Sequence, residues 1–181
     1  WTYDFPFYYV QIAPYQYNIN KNALLDKSQE LREAQRHTLK LKKTGMVVTL
    51  DIGNFNNIHP SNKQEVGNRL ARLALYNDYD INLIPNGPIF QGLEVDGEKL
   101  ILKFYNPGSK LVAKGDLLGF EIAGLDKKYV FANARIINNS VELYNVNIKR
   151  PMYARYGWRD KVVPSLFNLE GLPASSFKQD E

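Results

Sequence analysis

Two stretches of the chain, residues 5–13 (FPFYYVQIA) and 45–52 (GMVVTLDI), are continuously apolar rather than alternating. A strand with two apolar faces belongs in a parallel sheet covered on both sides. The residues between them, about 26–41, carry a helical period in which Leu31, Ala34, Thr38 and Leu41 share one face, with Asp26 or Ser28 placed to cap its start. The second run leads through a loop, residues 53–60, into another helical segment. Ser61 and Gln64 there fit a capping box, and Val66, Leu70, Leu73 and Asn77 form a stripe with Ala74 beside it. Gly67 weakens this helix slightly. The order β-α-β-α is the grammar of an open α/β sheet. Two strands fall short of the roughly four to six a sheet usually has, so completion by residues outside the chain is expected.

The pattern changes near residue 81, where Pro85, Asn86, Gly87 and Pro88 punctuate the sequence. Residues 93–95 and 99–105 flank Asp96-Gly97 and predict a hairpin with a type I′ turn. Residues 134–137 and 141–144 flank Asn138-Asn139 and predict a second. Residues 120–122, 129–132 and 152–156 are further strand candidates, and the tail, 167–181, reads as loop. Residues 1–80 and 81–181 are therefore expected to form an α/β portion and an antiparallel β portion.

Composition removes several functions. The chain has 181 residues, no cysteine and two histidines, His37 and His59, which excludes thiol catalysis and thiolate metal sites. No metal-binding spacing of histidine and glutamate is present, and no metal or cofactor is expected. Net charge is +4, but cations and acids are interleaved and no basic stripe points to nucleic acid. No apolar segment approaches the roughly 20 residues needed to span a membrane as a helix.

The segment DIGNFNNIHP, Asp51 to Pro60, is the most informative for chemistry. It follows a predicted parallel strand, at the edge where ligands gather in open α/β sheets. A histidine there, braced by Pro60 and a capped helix, suits a general base because its pKa lies near working pH. The blander reading is a surface or capping residue. His37 is read as a solvated helix residue. No serine lies in a nucleophile elbow or a Gly-Asp-Ser turn, and no phosphate-binding fingerprint is present.

The piece GMVVTLDIGNFNNIHPSNKQEVGNRLARLAL resembles the histidine block of sialate O-acetylesterases, a branch of the SGNH-type hydrolases. DFPFYYVQIAPY, LREAQ, GFEIAGLDKKYVFANARI and GLPASSF resemble other parts of that family in the same order. The resemblance implies an α/β fold, a partial flavodoxin-like three-layer sheet over residues 1–80, followed by an antiparallel β-sandwich or jelly-roll-like region over 81–181. It implies a secreted or periplasmic hydrolase that removes acetyl groups from sialic acid by Ser/His acyl transfer, without a cofactor. Xylan or another acetylated glycan is an alternative substrate. A different class of function is a non-catalytic glycan-binding or assembly module using Tyr153, Tyr156 and Trp158.

His59 matches the family's catalytic histidine. The family's serine and oxyanion-hole residues belong to blocks expected upstream of Trp1, so the chain alone is expected to be inactive. Its N-terminal remainder is expected as partner, with self-association through an exposed strand edge in its absence. Many relatives place an acid three residues before the histidine, where this chain has Asn56. A loop carbonyl, Asp51, or an acid elsewhere can orient His59; the carbonyl is preferred, because Asp51 is expected to point away.

Overall fold

The computed structural model describes residues 5–17, 27–106 and 108–180. Residues 1–4 and the candidate cap Asp26 lie outside them. Strand β1 (Phe7–Val10) pairs in parallel with β2 (Thr44–Val47), with Tyr8 opposite Gly45. Helix α1 (Ser28–His37) and a 3₁₀ turn (Thr38–Lys40) connect them, and α2 (Lys63–Asp78) follows.

All other strand pairing among the described residues is antiparallel. One sheet has the order β3-β4-β9-β8: β3 (Ile89–Asp96), β4 (Lys99–Tyr105), β8 (Asn133–Ile137) and β9 (Ser140–Tyr144). A second has the order β12-β10-β6-β7: β6 (Phe120–Ala123), β7 (Val130–Phe131), β10 (Tyr153–Tyr156) and β12 (Phe177–Gln179). A short pair joins β5 (Leu111–Ala113) to β11 (Leu166–Asn168). Leu100, Leu102, Val141 and Leu143 of the first sheet share one core with Phe120, Ile122, Tyr156 and Phe177 of the second.

The expected three-layer α/β fold is therefore corrected. The described chain is mostly β, with one parallel pair and two short helices. The reason is visible at the outer edge of β1. The Gln35 amide of α1 donates to the Val10 carbonyl at 3.1 Å and accepts from the Ile12 N–H at 2.9 Å, where a further strand would bind. The second face of the parallel pair packs onto the β region: Met46, Val48 and Leu50 cluster with Ile89 and Val162.

Helix α1 is turned relative to expectation. Leu31 and Leu41 are 48% and 64% exposed, whereas Ser28 and Arg32 are buried. The inward face is held by a polar network. Arg32 donates through Nε to Ser176 Oγ at 3.3 Å, through Nη1 to Ser28 Oγ at 3.2 Å, and through Nη2 to the Arg159 carbonyl. Ser28 Oγ in turn donates to Asp160, so it caps nothing. Gln11 Nε2 donates to the Arg32 carbonyl at 3.1 Å and to Ser175 Oγ at 3.0 Å. Burial lowers the Arg32 pKa to about 10, with Asp160 opposing the shift.

The tail is core rather than loop: the Phe177 ring stacks on Phe90 at 3.9 Å, and Ser175 and Ser176 are fully buried. The first hairpin closes on the pair Asp96↔Lys99, which leaves Gly97-Glu98 as its loop. Only Gly97 has positive φ (58°), the sign pattern of a type II′ turn rather than I′. Asn138 and Asn139 both have positive φ (44° and 60°), as a type I′ turn requires.

Candidate functional site

His59 lies on the connection between the carboxyl end of β2 and the start of α2, and it is exposed. Two asparagines shape this loop. Asn54 Oδ1 accepts from the N–H groups of Asn56 at 2.9 Å and Asn57 at 3.1 Å. Asn57 Oδ1 then accepts from the His59 N–H at 2.9 Å. Side chains that bond the backbone two residues on are how asparagine builds turns. The run Asn54-Phe-Asn-Asn-Ile-His59 is thus two linked Asx turns that end on the histidine. The sequence signal for these turns is the asparagine-rich run of Asn54, Asn56 and Asn57.

The loop is held from below and from the side. Gly53 packs against the loop after β1: a Cβ there would meet Pro14 Cδ at 2.6 Å and its carbonyl oxygen at 2.8 Å. The Gln16 N–H donates to the Phe55 carbonyl at 3.1 Å. The segments following the two parallel strands therefore lie together, on one edge.

The three candidate residues are not brought into one hydrogen-bonded unit. Among the described residues, no hydrogen bond joins the His59 ring to Asn56 or Asp51. Asn56 is exposed. Asp51 gives both carboxylate oxygens to Arg69, whose Nη1 and Nη2 each approach at 2.7 Å. Arg69 Nη1 also donates to the Val48 carbonyl at 2.7 Å, and its Nε to Glu65 at 2.8 Å. One nearly buried guanidinium therefore ties the end of β2 to the first turn of α2, the two supports of the His59 loop. Burial lowers the Arg69 pKa, but the bonds and charges of Asp51 and Glu65 outweigh it and hold it above the ordinary value. The sequence signal for this residue was the Glu65–Arg69 spacing of four on a helix. The cap of α2 is Asn62, whose Oδ1 accepts from the Glu65 N–H at 3.2 Å, rather than Ser61.

The serines have other roles. Ser28, Ser175 and Ser176 belong to the Arg32 network, Ser109 donates to Glu170, and Ser165 Oγ donates to the Leu118 carbonyl at 2.7 Å. Ser140 is buried beside the Asn138-Asn139 turn, and Ser61 is exposed. Of the aromatics considered for sugar contact, Tyr156 is fully buried and its hydroxyl accepts from the Ser165 and Leu166 N–H groups. Lys178 lies over Trp158 at 5.6 Å and Lys127 over Tyr153 at 5.0 Å. Among the described residues there is no cluster of three or more His, Asp or Glu suited to hold a metal ion.

These features define a class: an exposed histidine on a rigidly built loop, at the carboxyl edge of parallel strands, docked on an antiparallel β region. No family model and no curated protein matches the chain. Among solved structures it is similar to a carbohydrate acetylesterase from Xanthomonas citri, with a TM-score of 0.88 and 37% sequence identity over 97% of this chain. The chain spans 41% of the length of that protein.

Proposed function

We propose that this chain is the histidine-bearing part of a carbohydrate O-acetylesterase, with His59 as general base. The observation that carries the reading is the 37% identity and 0.88 TM-score to the Xanthomonas citri acetylesterase, sustained over 97% of the chain. In the proposed reaction a serine supplied from sequence upstream of Trp1 attacks the acetyl carbonyl. His59 takes the serine proton, gives it to the departing sugar hydroxyl, and then activates water to release acetate. The described serines other than Ser61 are buried or hydrogen-bonded within the fold, which supports an external nucleophile. Asp51, with both oxygens on Arg69, is better suited to brace the loop than to orient the imidazole. Asn56 takes part in the turn only through its N–H on Asn54, and Asn57 is the residue that bonds the His59 backbone.

The finer substrate is proposed to be an acetyl ester of sialic acid, on the sequence resemblance of the histidine block, in a secreted or periplasmic protein. Phe5 and Phe7 are 59% and 58% exposed beside β1, which supports docking of an upstream remainder, or self-association in its absence. The test is hydrolysis of p-nitrophenyl acetate and a panel of acetylated sugars by the chain alone and by a polypeptide extended upstream. Activity is expected only in the extended form and only with His59 intact. A His59-dependent rate in the chain alone would place the nucleophile within it. Preference for acetylated xylan would overturn the sialate assignment.

A further inference from the structure

One cavity lies away from His59. It has a volume of about 540 Å³, within the range of small-molecule sites, and lies between the end of α1 and the 3₁₀ turn, the start of β2, the last turns of α2, the start of β3 and the end of β4. Thr44, Gly45 and Met46 contribute from β2, and Tyr76 and Asn77 from α2. His59 precedes the opposite end of α2. Tyr76 lies thirteen positions after Lys63, so at 1.5 Å per residue the cavity lies roughly 20 Å from the histidine loop.

Its lining combines aromatic residues (Tyr76, Phe90, Tyr105) with amide-bearing ones (Asn77, Asn86, Gln91). Tyr105 ends β4 and is 44% exposed, an apolar ring left partly open at a concave wall. Tyr76 is near enough that its charge would raise the Tyr105 pKa, alongside burial. The one guanidinium in the wall is already neutralised: Arg36 donates to both Glu33 oxygens, at 2.9 and 2.6 Å. Its remaining Nη1 leans on the Phe90 carbonyl at 3.4 Å.

A pyranose ring has an apolar C–H face and a rim of hydroxyls. Aromatic faces complement the first, and amides, each both donor and acceptor, complement the second. Lys40 adds an exposed cation at the rim, beside the paired Arg36. We infer that the Tyr76–Tyr105 cavity is a second glycan-binding site, which takes a further segment of the oligosaccharide chain while the acetylated unit lies at the His59 edge. The inference rests on the carbohydrate-acetylesterase reading for its ligand class, but not on catalysis by this chain. A second contact on the same glycan raises the local concentration of the first, without altering the chemistry at His59.

The test is an amide-shift NMR titration of the 181-residue chain with unacetylated xylo- and gluco-oligosaccharides, and separately with free sialic acid. Shifts are expected with at least one neutral oligosaccharide, clustered at Tyr76, Asn86, Gln91 and Tyr105. Tyr105→Ala is expected to weaken binding about five- to ten-fold, and Tyr105→Phe to retain it, as loss and retention of one aromatic face imply. No shifts at tens of millimolar sugar, shifts confined to the His59 loop, response to sialic acid alone, or unchanged affinity in Tyr105→Ala would each overturn the inference. The titration requires no turnover. Failure of the esterase assay with a positive titration removes the catalytic reading alone, and the converse removes the cavity site alone.

Discussion

Replacing Arg69 by Met is expected to loosen the His59 loop more than any other single change in α2. The guanidinium makes three charge-assisted bonds, two to Asp51 and one to Glu65, and a fourth to the Val48 carbonyl. The Arg69 side chain is 7% exposed, Asp51 18% and Glu65 33%. Breaking a fully buried ion pair costs about 3–5 kcal/mol. Asp51 and Glu65 keep some access to water and recover part of their solvation, which lowers the expected cost to about 2–4 kcal/mol. For a domain of this size that is a fall in Tm of about 4–16 °C. Chemical and thermal denaturation of Arg69→Met, Asp51→Ala and the double variant would measure it. The double variant is expected to cost less than the sum of the singles by about 1–3 kcal/mol, because each single already breaks the Arg69–Asp51 bonds. Hydrogen exchange at residues 52–60 is expected to accelerate in both singles. Additive costs, with exchange in the loop unchanged, would refute the clamp.

Arg32→Ala is expected to cost about 3–5 kcal/mol in urea denaturation, since it removes three buried bonds, to Ser28, Ser176 and the Arg159 carbonyl, and the positive charge that acts on Asp160. Gly53→Ala should cost about 1–3 kcal/mol and raise loop exchange, because the new methyl meets Pro14 backbone atoms that cannot swing aside. Burial pushes both Tyr8 and Tyr129 up to about 12, with Asp78 adding to the first and Asp180 to the second. Their folded values lie above the unfolded value, so their contribution to stability is complete below pH 10 and is lost as pH rises through 12. Arg32 acts in the opposite sense from about 10 upward. Titration of phenolate absorbance should show a late phase near pH 12 whose amplitude Tyr8→Phe and Tyr129→Phe each reduce; a single phase near pH 10 would contradict these values.

Local rules made some elements legible. The Asn138-Asn139 hairpin follows from two residues that tolerate positive φ between two apolar runs. The first hairpin is displaced by one residue, because pairing of Asp96 with Lys99 leaves only Gly97 needing positive φ. Where long-range contacts decide, the sequence pattern misleads. The expected apolar face at Leu31 and Leu41 points outward, since Arg32 of α1 is satisfied by Ser28 one turn earlier and by Ser176 and Arg159 from distant segments. GLPASSF has turn-like composition, yet Phe177 is drawn into the core by Phe90. At the site, the position of His59 was readable from strand, loop and helix order. The bond between Asp51 and Arg69 was not, because it joins residues 18 apart across a loop.

The most direct measurement is deacetylation of an acetylated oligosaccharide by the polypeptide that carries this chain, wild type against His59→Ala at matched folding. Loss of a general base predicts a fall of about 10²- to 10⁴-fold in kcat with thermal stability unchanged. Full activity in the folded His59→Ala protein would contradict the account.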